Sequence, residues 1–191
     1  MSPNRVEEIL KETGTLLTGH FLLTSGRHSN QYMQCAKILQ YPRYAAELIK
    51  PLAESFIDDE IDMILSPAVG AIIVGYELAR QMGVKNIFAE RENGKMALRR
   101  GFTLEPGSRV LVAENVITTG GTVREVMEIV HELGAAVAGV AVLIDRSMGS
   151  IDFGVKTRYA YTADVKSWDA ENCPLCKENR IPAVKPGSRK I

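Results

Sequence analysis

The residues best suited to chemistry lie in one stretch, where a polar pair precedes a loop of threonine and glycine. The apolar run Val110–Ala113 predicts a buried strand, and Glu114 and Asn115 follow it directly. The loop Thr118–Thr122 then leads into an amphipathic helix predicted over Val123–Leu133. Glycines let a backbone approach an anion closely, and the first N–H groups of a helix have no partner within it. This pattern is suited to bind a phosphate dianion.

The polar pair in front of the loop adds a second kind of recognition. The carboxylate of Glu114 accepts hydrogen bonds, as a vicinal diol would offer them. Neighbouring residues would then bind the phosphate and the hydroxyls of one sugar phosphate. A glycine pair between threonines also occurs as a plain strand-to-helix turn, and this alternative stays open for the loop taken alone.

A run of cations shortly before this stretch is the second candidate. Positions 90–101 carry four basic side chains between flexible glycines: Arg91, Lys95, Arg99 and Arg100. Such a segment could close over a pyrophosphate, neutralise charge on a leaving group and exclude water. Its alternative is a solvated surface hairpin, because Glu90 and Glu92 partly offset the cations.

The elements that must position these residues follow from the hydrophobic pattern. A helix is predicted over Arg5–Lys11 and another over Tyr41–Phe56. After Phe56, short apolar runs alternate with helical periods, which is typical of a mostly parallel sheet flanked by helices. In such α/β folds, ligands bind beyond the carboxyl ends of the strands.

The length of 191 residues predicts a single domain, 1–191. Within it we expect a small N-terminal hood over about 15–40, a core over about 41–165 and an irregular C-terminal tail over about 166–191.

Charge and hydropathy limit the classes of partner. The chain has 23 basic and 23 acidic residues, so its formal net charge is zero, which disfavours a nucleic-acid coat or a polybasic membrane binder. Its longest uncharged apolar stretch, Leu133–Ile144, is too short for a membrane span, and the N-terminus lacks the pattern of a signal peptide. Three cysteines form no disulfide framework. We therefore expect a cytoplasmic protein that binds neither nucleic acid nor membrane.

The segment VLVAENVITTGGT resembles the phosphoribosyl-pyrophosphate signature of the type I phosphoribosyltransferases. This resemblance implies the type I phosphoribosyltransferase fold. It also implies that ribose phosphate and pyrophosphate bind to Glu114, Asn115, Val116, Ile117, Thr118, Thr119, Gly120, Gly121 and Thr122. The family usually carries two adjacent acids, whereas this chain has Asn115 in the second position, which cannot supply the second negative charge.

Further segments are similar to the orotate phosphoribosyltransferase family over nearly the whole chain: FLLTSGRHSNQY, SPAVGAIIVGYELA, AERENGKMALRRGF and VLIDRS. The resemblance implies transfer of ribose 5-phosphate from phosphoribosyl pyrophosphate to orotate in pyrimidine biosynthesis, giving orotidine 5'-phosphate and pyrophosphate. It implies Mg²⁺ bound mainly through the substrate, with no permanent metal site on the protein. It also implies a homodimer whose basic segment reaches the neighbouring subunit's site.

Individual roles carry over from the same resemblance. Arg91 and Lys95 match the catalytic residues that meet pyrophosphate. The orotate-binding positions match Thr118, Arg146, Ser25 and Gly26. Arg99 and Arg100 would substitute for charge that this chain lacks at Glu92 and Ala97. A lysine common in relatives is replaced by Thr24, so we do not assign pyrophosphate contact there.

Two other functions share the loop. A purine-base phosphoribosyltransferase would not need an arginine for a base carboxylate, so Arg146 disfavours it. A regulator that senses phosphoribosyl pyrophosphate after losing catalysis is kept open by Asn115. Such a regulator usually needs a nucleic-acid surface, which the neutral charge does not favour.

The cysteine pair Cys173-Pro174-Leu175-Cys176 has the spacing of half a zinc site or of a redox pair. A zinc site needs four ligands, and His20, His28 and the other candidates are scattered along the sequence. The sequence therefore favours a structural turn. A thioredoxin-like role is disfavoured because the pair is not predicted to follow a strand and open a helix.

Overall fold

A computed structural model describes residues 3–23, 25–178 and 181–186 of the chain. Its helices are α1 (Pro3–Glu12), α2 (Ala36–Leu39), α3 (Pro42–Ser55), α4 (Ile72–Met82), α5 (Gly121–Glu132) and α6 (Pro174–Glu178). Its strands are β1 (Leu16–Leu22), β2 (His28–Met33), β3 (Met63–Pro67), β4 (Lys85–Glu92), β5 (Lys95–Leu98), β6 (Arg109–Ile117), β7 (Ala136–Asp145), β8 (Thr157–Thr162) and β9 (Ser167–Trp168).

The chain divides into two compact units, of which residues 41–163 form the core unit. Its six-stranded sheet has the order β5-β4-β3-β6-β7-β8. Every neighbouring pair is parallel except the hairpin of β4 and β5. The prediction of a mostly parallel sheet flanked by helices is thus confirmed. Strands β3 and β7 are almost wholly buried, as apolar strands between helix layers must be.

Three parallel strands bring their carboxyl ends to the same edge of this sheet. Strand β3 ends at Pro67, β6 at Ile117 and β7 at Asp145. Ile117 pairs with Asp145 across β6 and β7. The loops that follow these strands are therefore neighbours, which places the predicted site residues of this unit at one edge.

The second unit comprises the two ends of the chain, residues 3–40 and 164–186. It contains α1 and a three-stranded antiparallel sheet in the order β1-β2-β9. The predicted N-terminal helix is confirmed, and it buries Val6, Ile9 and Leu10. The assignment of residues 1–191 to one functional domain stays a prediction.

The C-terminal tail is more ordered than the sequence indicated. It contributes β9, a 3₁₀ turn at Ala170–Asn172 and the short helix α6, and Val184 forms a bridge with Phe21. The expectation of an irregular tail is therefore wrong over much of the described part. The elements of the tail have only two to five residues, which is too short to show a hydrophobic period in a segment rich in proline and charged residues. Among the described residues, no helix has the length and apolar character that crossing a bilayer requires.

Candidate functional site

The Thr–Gly loop, Thr118–Thr122, joins β6 to α5 as the sequence predicts. Gly120 is the residue before the helix, and α5 begins at Gly121. The loop and Glu114 surround a small cavity of about 60 Å³ whose surface is mostly polar. The first N–H groups of α5 have no partner within the helix and carry the positive end of its dipole. A small anion fits both the size and the charge of this hollow.

The two glycines of the loop have different physical reasons to be glycine. Gly120 has a φ of +76°, and a Cβ there would lie 2.9 Å from the ring of Phe153. Gly121 has open space around it, since the nearest atom to a Cβ at this position would be the Thr119 hydroxyl oxygen, at 3.9 Å. Gly120 therefore shapes the turn, whereas Gly121 leaves room for a ligand beside the helix N-terminus.

Glu114 is a buried carboxyl, 6% exposed, within the same cavity. Its Oε1 accepts a hydrogen bond from the Asn115 N–H at 2.7 Å. Burial raises the pKa of Glu114 to about 7, and the backbone N–H groups of Asn115 and Val116 oppose that shift. A group so poised near neutrality, in a cleft beside an anion-binding loop, is characteristic of a functional site.

Asn115 faces the loop after β3. A Cβ on Gly70 would lie 2.9 Å from the Asn115 side-chain nitrogen. Only a glycine at position 70 lets the loop after β3 pass so close to this amide. Asn115 does not line the small cavity that contains Glu114. The side chain of Glu114 therefore belongs to the cavity of the Thr–Gly loop, whereas that of Asn115 lies against the loop after β3.

Arg146 follows β7, and its N–H donates to the carbonyl of Ile117 at 2.9 Å. The preceding Asp145 is fully buried and accepts hydrogen bonds from the N–H and hydroxyl of Ser147 and from the Gly149 N–H. The surface salt bridge between Arg146 and Asp145, which a purely structural role would use, is not formed. Among the described residues, none forms an ion pair with the Arg146 guanidinium.

The basic segment forms the hairpin of β4 and β5, here called the basic hairpin, with its turn at Asn93 and Gly94. The Arg91 guanidinium donates to the Gly94 carbonyl at 2.5 Å and pairs with the Glu125 carboxylate of α5 at 3.0 Å. Lys95 lies beside the acidic side of α5, in a hollow that Glu125 also lines. Neither cation lines the cavity of the Thr–Gly loop.

The two arginines that directly follow β5, Arg99 and Arg100, form ion pairs with acidic residues of β4. Arg100 donates twice to Glu90, at 2.7 and 2.9 Å, and this interaction holds the pKa of the Glu90 carboxyl below its ordinary value. Arg99 pairs with Glu92 at 3.3 Å. The structure therefore shows the solvated surface hairpin, which was the alternative interpretation of this segment from the sequence.

The predicted hood residues belong to the second unit. Ser25 and Gly26 lie exposed in the turn between β1 and β2, and Gly26 has a φ of +80°. Ser29 is buried, and its hydroxyl donates to the Lys166 carbonyl at 2.7 Å. Thr24 lies outside the described residues. The orotate-binding role of Ser25 and Gly26 stays a prediction.

Sequence reasoning missed one cluster in the second unit. His20, His28, Cys173 and Cys176 are not scattered in space, because their ligand atoms all lie within 4.8 Å of one another. Cys173 directly precedes α6 and follows the 3₁₀ turn Ala170–Asn172, so the pair opens a short helix but does not follow a strand. The C-x-x-C spacing was the available signal, but its partners lie about 150 residues away in the sequence.

Comparison with known proteins identifies the family of this chain. The family model of the phosphoribosyl transferase domain matches residues 35–168. An orotate phosphoribosyltransferase of Pelotomaculum thermopropionicum is 58% identical over 191 residues, covering 100% of both chains. The chain belongs to the orotate phosphoribosyltransferase family.

Solved structures agree with this assignment at the level of fold. An orotate phosphoribosyltransferase from Aeropyrum pernix has a TM-score of 0.71 at 24% identity, covering 82% of this chain and 93% of that one. An adenine phosphoribosyltransferase from Rhodothermus marinus has a TM-score of 0.66 at 21% identity, covering 84% and 99%. The type I phosphoribosyltransferase fold is therefore confirmed. Fold alone does not choose the base, whereas sequence identity assigns the chain to the orotate phosphoribosyltransferase family.

Proposed function

We propose that this chain transfers ribose 5-phosphate from phosphoribosyl pyrophosphate to N1 of orotate, giving orotidine 5'-phosphate and pyrophosphate. One observation carries the proposal: full-length identity of 58% to an orotate phosphoribosyltransferase, in a chain that retains Glu114 and the Thr–Gly loop around one cavity. The cytoplasmic location inferred from the sequence stays a prediction.

The Thr–Gly loop holds the 5-phosphate in this proposal. Gly121 leaves space for the phosphate at the N-terminus of α5, and the threonine hydroxyls add donors. Glu114 accepts hydrogen bonds from the ribose hydroxyls in its ionised form. Because the pKa of Glu114 lies at about 7 without ligand, such hydrogen bonds would favour the carboxylate and lower that pKa. The ribose is thereby fixed for attack at its anomeric carbon.

Arg146 supplies the cation for the orotate carboxylate. Its guanidinium has planar donors that match a carboxylate, and no described residue occupies them in an ion pair. Its backbone is bonded to Ile117, the residue before Thr118, so the two proposed orotate contacts are held together. Ser25 and Gly26 are the further proposed orotate contacts.

The basic hairpin supplies charge for the leaving group. As pyrophosphate departs, positive charge builds on the ribose and negative charge on the leaving oxygens, and preorganised cations stabilise the latter. Arg91 would exchange Glu125 for pyrophosphate, and Lys95 would leave the acidic side of α5. Movement of the hairpin would also exclude water from the reacting atoms.

Mg²⁺ is proposed to bind together with the substrate. The carboxyl of Glu114 and the amide oxygen of Asn115 are oxygen donors of the kind Mg²⁺ prefers. Among the described residues, the only group of three or more possible metal ligands is that of two histidines and two cysteines, so a cage of carboxylates is not part of this proposal. When it is bound together with the substrate, Mg²⁺ would neutralise charge on the leaving group.

A homodimer is the proposed assembly. Large apolar side chains lie exposed at the start of α4 and just before it: Val69 at 81%, Ile73 at 47% and Tyr76 at 61%. Large apolar side chains that lie exposed close together in the sequence favour contact with another protein surface. Sedimentation velocity of the purified chain tests this, and a monomer at assay concentrations would contradict it.

A spectroscopic assay of orotate consumption tests the activity. With phosphoribosyl pyrophosphate and Mg²⁺, the chain should consume orotate, and Arg146→Ala should weaken orotate binding. Adenine and hypoxanthine are the comparison substrates. Turnover of a purine base in place of orotate would overturn the proposal.

A further inference from the structure

Two imidazoles and two thiols of the second unit meet at one place, and the proposed reaction uses none of them. They are His20 on β1, His28 at the first position of β2, Cys173 just before α6 and Cys176 within it. Their exposed fractions are 3%, 9% and 0% for the first three, while Cys176 is partly buried. We call these four residues the His–Cys quartet.

We propose that the His–Cys quartet binds one Zn²⁺ ion as a structural site. The inference is independent of the proposed transferase reaction, because it concerns no residue of the Thr–Gly loop or the basic hairpin. Four protein ligands complete a tetrahedral shell and leave no position for substrate, which is the property of a structural zinc site.

The distances within the quartet fit a tetrahedral ion. The Sγ atoms of Cys173 and Cys176 each lie 3.6 Å from His20 Nε2, and Cys176 Sγ lies 3.2 Å from His28 Nδ1. Zinc bonds of about 2.0 Å to nitrogen and about 2.3 Å to sulfur separate such atoms by about 3.5 Å. The two ring nitrogens lie 2.7 Å apart, and they would open to about 3.3 Å around an ion.

The hydrogen bonding of His20 directs a lone pair toward the quartet. Its Nδ1 lies 2.9 Å from the carbonyl oxygen of Ile181, which only accepts, so Nδ1 carries the proton and donates. In the neutral ring, Nε2 then has the free lone pair, and Nε2 is the atom that faces the thiols. Histidines that bind metals usually donate their other ring N–H to a carbonyl or carboxylate in this way.

The ligand set favours zinc over magnesium and calcium. Two thiolates neutralise the charge of Zn²⁺, and the two imidazoles are neutral donors, so the buried site carries no net charge. Magnesium and calcium prefer oxygen ligands, and the quartet offers none. The Mg²⁺ that accompanies the proposed substrate is therefore not an alternative occupant.

Two metal-free arrangements of the quartet match its geometry less well. A disulfide between Cys173 and Cys176 would leave His20 and His28 buried against each other with no further partner at the centre. A network of thiol and imidazole hydrogen bonds would satisfy the three buried groups and the partly buried Cys176 with weak sulfur donors. Both arrangements predict a protein without bound metal, which separates them from zinc.

The position of the quartet explains what an ion would do for the second unit. It joins β1 and β2 to α6, from opposite ends of the sequence. Other polar links join the same chain ends: the Val184 N–H donates to the His20 carbonyl at 2.9 Å, and Arg27 pairs with Asp169 at 2.7 Å. A small unit with a three-stranded sheet has limited core, and a metal is a common way to stabilise one.

Elemental analysis of the untagged, full-length protein tests the proposal. Protein from cells grown with zinc should carry about one Zn per chain after dialysis. Cys173→Ser and Cys176→Ser should each reduce this content to near zero. Protein without metal and with an oxidised C-x-x-C pair would overturn the proposal, as would full zinc content in both variants.

Matched controls separate the quartet from other thiols and imidazoles. Cys35→Ala removes the third cysteine, which is also buried but lies outside the quartet. His131→Ala removes an exposed histidine on α5. Both variants should retain the zinc of the parent, and loss of zinc in either would contradict the ligand assignment.

Cobalt substitution keeps the test decisive even where the cysteine variants do not fold. The parent chain loaded with Co²⁺ should show the strong visible absorption of tetrahedral cobalt and thiolate-to-cobalt charge transfer in the near ultraviolet. Added Zn²⁺ should abolish both signals. A weak octahedral spectrum without thiolate charge transfer would overturn the site.

Discussion

Glu114 combines burial with a proposed role that needs its ionised form. The cavity that desolvates this carboxyl is the one in which ribose hydroxyls are proposed to bind. Stability and function therefore conflict at this residue, since the folded chain without ligand holds a charge in a poorly solvated place. Binding sites often retain such a cost because the ligand relieves it.

This conflict predicts a pH-dependent effect of Glu114→Gln. The folded pKa of about 7 lies above the ordinary value of 4.5, so between these values the folded state holds an extra proton. Stability of the parent should fall as pH rises through this window and stay lower above it. The neutral variant escapes this loss, which amounts to about 2–4 kcal/mol.

Urea unfolding of both proteins from pH 5 to 8 measures the effect. The variant should gain stability relative to the parent across the range. The exposed Glu105→Gln is the control and should show a constant difference. A constant difference for Glu114→Gln as well would show that burial does not govern this carboxyl.

The two loop glycines predict opposite outcomes for the same substitution. Gly120→Ala forces a side chain into a left-handed conformation and against Phe153, which should cost about 2–4 kcal/mol of unfolding free energy. Gly121→Ala has open space and should change stability by less than about 0.5 kcal/mol. Its methyl group instead occupies the proposed phosphate position.

Calorimetric titration with phosphoribosyl pyrophosphate completes the comparison. Gly121→Ala should weaken binding about tenfold or more, because the methyl group displaces the phosphate and at least one hydrogen bond to this charged group is lost. Unchanged affinity in a stable Gly121→Ala protein would remove the phosphate from this loop.

Sequence reasoning succeeded where a local pattern determines a local structure. The apolar run of β6 and the helix α5 were predicted from neighbouring residues and are present, although β6 continues through Glu114 and Asn115 to Ile117 instead of ending before them. Strands β1, β2 and β8 were not predicted, because half-buried strands with polar residues lack a clear alternation. The His–Cys quartet was missed because its proximity depends on contacts between the two ends of the chain.

In the basic hairpin, Arg91 is held in an ion pair with Glu125 of α5. Arg91 and Glu125 are both more than a third exposed, so their pair contributes about 0–1 kcal/mol. That amount is small enough for a substrate to overcome. The conformation with Arg91 on α5 is thus compatible with a hairpin that moves when pyrophosphate is bound.

Glu125→Gln should make that movement easier. With the ion pair removed, the KM for phosphoribosyl pyrophosphate should fall by up to about fivefold, and the difference should shrink at high salt. Steady-state kinetics measures this. Glu54→Gln is the control, since it removes the carboxylate of the Lys50–Glu54 pair on α3. An unchanged KM in Glu125→Gln would indicate that Arg91 need not leave α5.

At the scale of the whole molecule, the assembly decides which site each hairpin serves. Lys95 is on β5 and Arg146 directly follows β7. Loss of the Lys95 ammonium is expected to lower turnover, and loss of the Arg146 guanidinium to lower activity through weaker orotate binding. In a homodimer with exchanged hairpins, a site would combine Arg146 of one subunit with Lys95 of the other. Two inactive variants, Lys95→Ala and Arg146→Ala, can therefore complement each other.

Mixed dimers of these variants should regain activity. Half of the dimers formed at random would be mixed, and each would contain one complete site, so the mixture should show about one quarter of the parental rate. Co-expression followed by the orotate assay measures it, and Lys95→Ala alone should show a large loss of turnover with little change in orotate binding. Restoration requires exchange between subunits, because a hairpin that serves its own subunit leaves every mixed dimer with a defect in both sites. A mixture as inactive as its components would assign the hairpin to its own subunit.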